Sequence, residues 1–135
     1  MPEEALDLWP AIEKGGTRTP VSILKQQAAL LGKHTKNLLE ASVDTDASPG
    51  RFAHRFIIEA PALGGYRYEL FSIQHDEKLY PVKVISAPPG TPVHEQIKWR
   101  QGLDSEDTFV DWLKAVLNSA DTKRLLSNLL AQIES

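Results

Sequence analysis

The fold is decided by Arg51–Ser86, which reads RFAHRFIIEAPALGGYRYELFSIQHDEKLYPVKVIS. Apolar and polar residues alternate in three successive runs of this stretch. The runs are separated by the turn residues Pro61–Gly65 and by the polar segment His75–Lys78. Alternation with a period of two is typical of a β-strand with one buried face, and short turns between such runs indicate hairpins. The stretch therefore predicts an antiparallel β-meander.

The alternation also predicts a register, because a slip by one residue would move every side chain to the other face of the sheet. We expect the core face to carry these residues: Phe56, Ile58, Tyr68, Leu70, Tyr80, Val82 and Val84. The reverse face would mix charged and apolar residues: Arg55, Glu59, Arg67, Glu69, Lys83, Ile57, Phe71, Ile73 and Ile85. In this register Glu59 lies near Arg67, and such cross-strand pairs contribute ~0.2–1 kcal/mol. Pro81 lacks an N–H for the ladder, which predicts an edge strand or a strand start.

A helix and a further strand are predicted before the meander. Thr19 and Pro20 suit the N-cap and the first position of a helix, and Gly32 is the expected left-handed stop. Leu38–Asp44 alternates as a strand does, and a turn follows at Asp46–Gly50. These elements raise the predicted number of strands to four.

Two amphipathic helices are predicted at the C-terminus. Asp104 or Ser105 can cap the first helix, and Ser119 or Asp121 can cap the second. Residues 93–103, before them, fit a short strand or an irregular loop. The whole pattern indicates an α+β domain with an N-terminal helix, a four-stranded antiparallel β-meander and two C-terminal helices packed on the sheet. This arrangement resembles small bacterial proteins, and the resemblance implies no activity.

A chain of 135 residues is long enough for one domain with a hydrophobic core. We expect residues 19–135 to form this single α+β domain and residues 1–18 to form an N-terminal tail, docked or flexible. The tail contains four large apolar side chains: Leu6, Leu8, Trp9 and Ile12. Exposure of such a cluster is costly, so we expect it to dock on the domain. The alternative is a short linear motif that docks on another protein.

Composition excludes several classes of function. The chain has no cysteine, which rules out disulfides, thiolate metal sites and a cysteine nucleophile. The acidic start Met1–Glu4 lacks the features of a signal peptide, and no apolar run approaches the roughly 20 residues that span a bilayer. We therefore expect a cytoplasmic protein with no membrane partner. A net charge of −3 argues against nucleic acid as a partner. We interpret the basic clusters as solvated surface charge: Lys33, His34, Lys36, Lys98 and Arg100.

No catalytic or metal-binding motif stands out in the sequence. The four histidines, His34, His54, His75 and His94, are not spaced for joint metal binding from one element. We expect His54 to be a packed core histidine and His75 to lie in a solvated turn. We therefore expect no cofactor and no metal, assign no catalytic residue, and favour a protein that is not an enzyme.

Two hypotheses of function follow. The first is a small non-enzymatic protein-interaction or regulatory module of a bacterial cytoplasm, because mixed aromatic and arginine-rich surfaces are typical of interfaces. Its partner, another protein or a second copy in a homodimer, would bind the reverse sheet face at Arg55, Ile57, Arg67, Glu69, Phe71 and Lys83. The alternative is a small-ligand-binding or enzymatic domain with a cavity between sheet and helices. That cavity would be lined by His54, Tyr66, Tyr68, Tyr80 and Trp99.

Overall fold

The computed structural model describes residues 6–88 and 102–135 and has the predicted α+β arrangement. Its elements are, in chain order, α1 (Pro20–His34), β1 (Glu40–Ser48), β2 (Arg51–Ala60), a 3₁₀ turn (Pro61–Leu63), β3 (Tyr66–His75), β4 (Lys83–Ser86), α2 (Glu106–Leu117) and α3 (Ala120–Ile133). The four strands form one antiparallel sheet in the order β1-β2-β3-β4. Each strand therefore pairs with its neighbours in sequence, which confirms the predicted meander.

Polar side chains begin all three helices as the sequence predicts. The N-cap residues are Thr19, Ser105 and Ser119. The hydroxyl of each accepts a hydrogen bond from the backbone N–H three residues later, at 3.1–3.2 Å. Each cap satisfies one of the N–H groups that have no partner inside the helix, and a cap of this kind contributes about 1 kcal/mol.

The ends of α1 and β1 differ from the prediction. α1 continues through Gly32, and the left-handed residues that follow it are Lys36 and Asn37, with φ of 53° and 65°. The backbone N–H of Asn37 donates to the carbonyl oxygen of Gly32 at 2.8 Å, so the closing turn forms after the glycine. The predicted stop at Gly32 is therefore wrong. β1 also extends beyond the predicted strand, and only Pro49–Gly50 separates it from β2.

The core lies between one face of the sheet and the helices. It contains Leu24 from α1, Phe56 and Phe71 from the sheet, and Phe109 and Trp112 from α2. The ring of Phe71 stacks on Phe56 with centres 5.2 Å apart and meets Trp112 edge-on at 5.1 Å. Aromatic pairs in such geometry contribute ~0.5–1.5 kcal/mol beyond the area that they bury. The aromatic cluster therefore joins the sheet to α2.

A β-bulge at Leu70 interrupts the ladder between β2 and β3. Phe56 pairs with Phe71, but the next residue of β2, Ile57, pairs with Glu69. Leu70 is therefore an extra residue on β3, so that two residues oppose one on the partner strand. The alternation of side chains along β3 shifts by one residue at this point.

The bulge changes the predicted faces of the sheet. Before it, Tyr68 lies on the core side and pairs with Ile58, as predicted. After it, Phe71 and Ile73 also lie on the core side, and both are 0% exposed. Their predicted position on the reverse face is wrong, because a strict period of two does not continue through a bulge.

A pair of substitutions tests this register. Replacing Phe71 by leucine should lower the free energy of unfolding by about 1–2 kcal/mol, because the aromatic cluster loses a ring and the smaller side chain leaves a cavity. Replacing Glu69 by alanine, on the exposed reverse face, should change it by about 0.5 kcal/mol or less. Urea unfolding followed by circular dichroism measures both values. Equal small changes would show that Phe71 does not lie in the core.

Candidate functional site

The reverse sheet face carries a network of ion pairs across three strands. Arg55 contacts Asp44 at 3.6 Å and Glu69 at 3.9 Å. Arg67 contacts Asp44 at 3.5 Å and Glu59 at 3.7 Å, which agrees with the predicted Glu59–Arg67 pair. These side chains are partly exposed, and ion pairs in such surroundings contribute ~0–1 kcal/mol each. The network therefore orders the reverse face and neutralises most of its charge.

Most residues predicted to bind a partner lie on this reverse face: Arg55, Ile57, Arg67, Glu69 and Lys83. Phe71 does not, because it is buried against Trp112 on the core side. Ile57 is also buried, although it lies on the reverse side of the strand. The reverse face thus lacks the aromatic anchor that the prediction required. Partner binding through the charged residues stays a prediction.

The described residues among those predicted to line a cavity do not converge. Tyr66 and Tyr68 lie at one end of the β2–β3 ladder, and His54 lies towards the other. The hydroxyl of Tyr80 donates to a backbone carbonyl oxygen before α1 at 2.9 Å, and burial raises its pKa. Trp99 lies outside the described residues. Of the four described residues of this set, His54 alone lines the groove between α1 and the sheet.

We call this groove the histidine groove. It has a volume of about 470 Å³ and is lined by Thr19, Val21, Lys25, Thr45, Phe52, His54, His75, Glu77 and Leu79. Small-molecule sites in proteins measure ~300–1,000 Å³ and combine mainly apolar walls with a few polar groups. The first turns of α1 form one wall, and β1, β2 and β3 form the floor. The histidine groove therefore has the size and composition of a ligand site.

Two buried histidines form a hydrogen-bonded chain in the floor of the groove. The Nε2 atoms of His54 and His75 lie 2.9 Å apart. His75 Nδ1 lies 2.7 Å from the carbonyl oxygen of Asp76, and His54 Nδ1 lies 2.8 Å from the hydroxyl of Thr45. Because a carbonyl can only accept, His75 carries its proton on Nδ1 and, when neutral, accepts on Nε2. His54 Nε2–H then donates to His75, and the Thr45 hydroxyl donates to His54 Nδ1.

Burial favours the neutral form of His54. It lowers the pKa of His54 from 6.5 to about 4, and the charges of His75 and Lys25 act in the same direction. His54 is therefore neutral at pH 7, as the hydrogen-bonded chain requires. All four ring nitrogens then have a partner, which removes most of the cost of burying two polar rings.

The position of His75 is the main feature that the sequence analysis missed. His75 is 8% exposed and belongs to β3, not to a solvated turn. After the bulge, Phe71, Ile73 and His75 occupy every second position on the core side. Phe52 pairs with His75, and their stacked rings have centres 5.5 Å apart. His54, two residues further along β2, is therefore the diagonal neighbour of His75. The resumed alternation was the signal in the sequence, and it becomes visible only once the bulge is known.

The N-terminal segment, residues 6–12, exposes its apolar side chains. The exposed fractions are 83% for Leu6, 81% for Leu8 and 78% for both Trp9 and Ile12. The structure thus shows them exposed and not docked on the domain. Contact with the domain is made at Arg18, whose backbone N–H donates to Glu106 at 2.8 Å and whose guanidinium donates to the same carboxylate at 3.1 Å.

Within residues 6–88 and 102–135, no three histidine, aspartate or glutamate side chains converge as a metal site. In the same residues no helix is both long and apolar enough to cross a membrane. Comparisons of the chain with protein-family models, curated proteins and solved structures find no match. A functional conclusion therefore has to come from the chain's own residues.

The stability of the domain should depend on pH through His54. Between pH 6.5 and about 4 the unfolded chain binds a proton at this residue and the folded chain does not. The stability that neutral His54 allows is therefore fully present above pH 6.5. As the pH falls towards 4, the free energy of unfolding decreases by about 3 kcal/mol at most. Lys25 and His75 act on His54 directly, and Glu77 lines the same groove. Urea unfolding between pH 7.5 and 4 measures the effect.

The control is a pair of glutamine variants. His54→Gln should be less stable at pH 7 but should lose less stability on acidification than the wild type. His34→Gln, at an exposed position, should follow the wild-type profile. Parallel profiles for all three proteins would contradict the assignment of a depressed pKa to His54.

Proposed function

We propose that this protein is a protein-interaction module and that the N-terminal segment, residues 6–12, is its partner-binding element. One observation carries the proposal: four large apolar side chains within seven residues are 78–83% exposed. Burying a side chain of this size contributes about 1.5–3 kcal/mol. A partner that covers several of them would offset the entropic cost of ordering the segment.

The charges of the segment indicate the chemistry of the partner. The first 13 residues contain four carboxylates and no basic side chain: Glu3, Glu4, Asp7 and Glu13. A complementary surface is therefore an apolar groove with a basic rim on another protein. Trp9 is the expected anchor, because tryptophan is enriched among the residues that dominate binding energy. The carboxylate of Asp7 accepts from the backbone N–H of Trp9 at 3.1 Å, and this contact supports a defined turn before the indole.

The reverse sheet face suits this role less well. Its arginines already contact carboxylates of neighbouring strands, so a partner would have to replace these contacts or bury them intact. Among the described residues it also lacks an exposed aromatic side chain, since Phe71 is buried on the other side. The segment has the opposite properties, with large apolar groups and few competing contacts.

A photo-crosslinking experiment tests the proposal in the cell. Benzoylphenylalanine at position 9 should give adducts with one protein, and the same residue at position 85 should not. Ile85 is a suitable control because it is exposed on the domain itself. The captured protein, once purified, should show an apolar surface with basic neighbours. Capture of a second copy of this chain would instead indicate a homodimer, which sedimentation equilibrium would verify.

Substitution then measures the contribution of the segment. The double variant Leu8→Ser/Trp9→Ser should weaken binding to the purified partner by about 100-fold or more, as expected for two anchors of the interface. Lys14→Ser, just beyond the segment, should leave the affinity within a few fold. The urea midpoint should not change in either variant, because the replaced side chains are exposed. An unchanged affinity of the double variant would refute the proposal.

A second candidate function, small-ligand binding, is favoured by the volume and apolar walls of the histidine groove. Lys25 lies at this groove, and none of the ion pairs found among the described residues involves it. A ligand with an apolar body and one acidic group therefore fits. Anilinonaphthalene sulfonate should bind the native domain with increased fluorescence, and Val21→Trp should remove most of the increase by filling the groove. Equal fluorescence of the two proteins would exclude this site.

A further inference from the structure

We infer that the partner of the N-terminal segment is a second copy of this chain, and that each copy places residues 6–12 in a groove of the other. The inference rests on the proposed function of the segment and names its partner. The groove lies between α1, the junction of α2 and α3, and the core face of the sheet. Its apolar lining, the charge around it and its distance from the segment of the same chain carry the inference.

We call this groove the leucine groove, because five leucines line it: Leu30, Leu31, Leu70, Leu117 and Leu126. It has a volume of about 300 Å³. A cavity of about 150 Å³ between apolar side chains already holds a benzene ring, so the leucine groove has room for the indole of Trp9. Leu30 is 37% exposed, which leaves apolar surface of the groove in contact with water.

α1 forms one wall of the leucine groove through a single stripe of its surface. Gln27, Leu30, Leu31 and His34 follow one another at intervals of three, one and three residues, so they lie on one face of the helix. The end of α2 and the first turns of α3 form the opposite wall, and side chains of β2 and β3 form the floor. Apolar grooves beside helices are a recurring way to bind the apolar anchors of a peptide segment.

The charge around the leucine groove is complementary to that of the segment. Of the described residues that line the groove, none is acidic, and His34 is the one that can carry a charge. Lys33 and Lys36 are exposed on either side of His34, and neither belongs to an ion pair found in residues 6–88 and 102–135. The segment contains Asp7 and is followed by Glu13. Its carboxylates therefore meet basic groups beside the apolar lining.

The histidine groove fits the segment less well. Glu77 lines it and would repel an acidic segment. Its floor also contains the polar rings of His54 and His75, whereas Phe56 and Ile58 lie in the floor of the leucine groove. The leucine groove is therefore the better site for apolar anchors.

The position of the leucine groove favours a second copy over the segment's own domain. The segment joins the domain at Arg18, which Glu106 binds at the start of α2 and whose carbonyl oxygen accepts from the hydroxyl of Tyr80. The groove lies at the other end of α1, along residues 27–34 and ~12–22 Å from Arg18 at 1.5 Å per residue. To fill its own groove, the segment would have to turn back at Arg18 and run along the helix. A second copy can supply a segment without this reversal.

Reciprocal exchange gives the contact the size of a stable interface. Each copy contributes the seven residues of its segment and the eleven described residues that line its groove. Stable protein interfaces involve about 20–30 residues a side, and a single segment in a single groove would fall far short of this. We therefore expect a two-fold symmetric dimer with both grooves filled, which is the usual symmetry of homodimers.

Sedimentation equilibrium of the full chain tests the inference. The wild type should form a dimer that dissociates on dilution. Leu8→Ser/Trp9→Ser and Leu30→Glu should each raise the dissociation constant by about 100-fold or more, because each change acts at both grooves. Ala29→Glu is the matched control, since it adds the same charge at an exposed neighbour outside the groove, and it should stay within a few fold of the wild type. Both glutamate variants should keep the urea midpoint of the wild type.

Photo-crosslinking then locates the contact. Benzoylphenylalanine replaces Trp9 in an equal mixture of isotope-labelled and unlabelled chains. Adducts should join labelled to unlabelled chains and map to residues 27–34 or to the junction of α2 and α3. Adducts that form only within one chain would show that the segment fills its own groove, and they would overturn the inference.

The remaining outcomes separate this inference from the proposed function. A wild type that stays monomeric, or a dimer that Leu30→Glu weakens no more than Ala29→Glu does, would overturn the inference alone, because the segment is then free to bind another protein. If Leu8→Ser/Trp9→Ser leaves the dimer and every contact with other proteins unchanged, the proposed function fails as well.

Discussion

The β-bulge at Leu70 is the constraint on which the rest of the structure depends. A single extra residue lets β3 place Tyr68 on the core side before it and Phe71 on the core side after it. Without it, Phe71 would lie on the reverse face and could not make its edge-on contact with Trp112 of α2. The same shift places His75 beside His54. One irregularity therefore shapes both the core and the candidate site.

Regular features of the fold could be predicted from the sequence, because each has a local physical cause. Alternation predicted the strands, and the N-cap residues Thr19, Ser105 and Ser119 were among the polar residues predicted to begin the helices. The bulge could not be predicted in the same way. Leu70 and Phe71 are both apolar, so either can continue the core row of β3 without a visible break in the pattern. The difference is set by packing against α2, which is a tertiary effect.

The candidate sites were predicted less well than the fold because they depend on contacts between distant residues. His54 was expected in the core, but its partner His75 is 21 residues away. The two histidines lie on the same face of the sheet only because of the bulge in β3. For Trp9 we expected docking on the domain, with docking on another protein as the alternative, since hydrophobicity favours both cases. The deciding fact is whether the domain offers a complementary surface. In the structure the domain contacts the N-terminal part of the chain where Glu106 binds Arg18, which follows the apolar residues in sequence.

The histidine pair shows how a polar site can be kept within a small core. Two apolar rings at these positions would bury more apolar surface, so the pair is not the most stabilising choice. Its cost is reduced because Thr45, the Asp76 carbonyl and the histidines themselves satisfy every ring nitrogen. That arrangement requires a single proton between the two Nε2 atoms. Both rings also line the histidine groove, so the pair adds polar groups to walls that are mainly apolar.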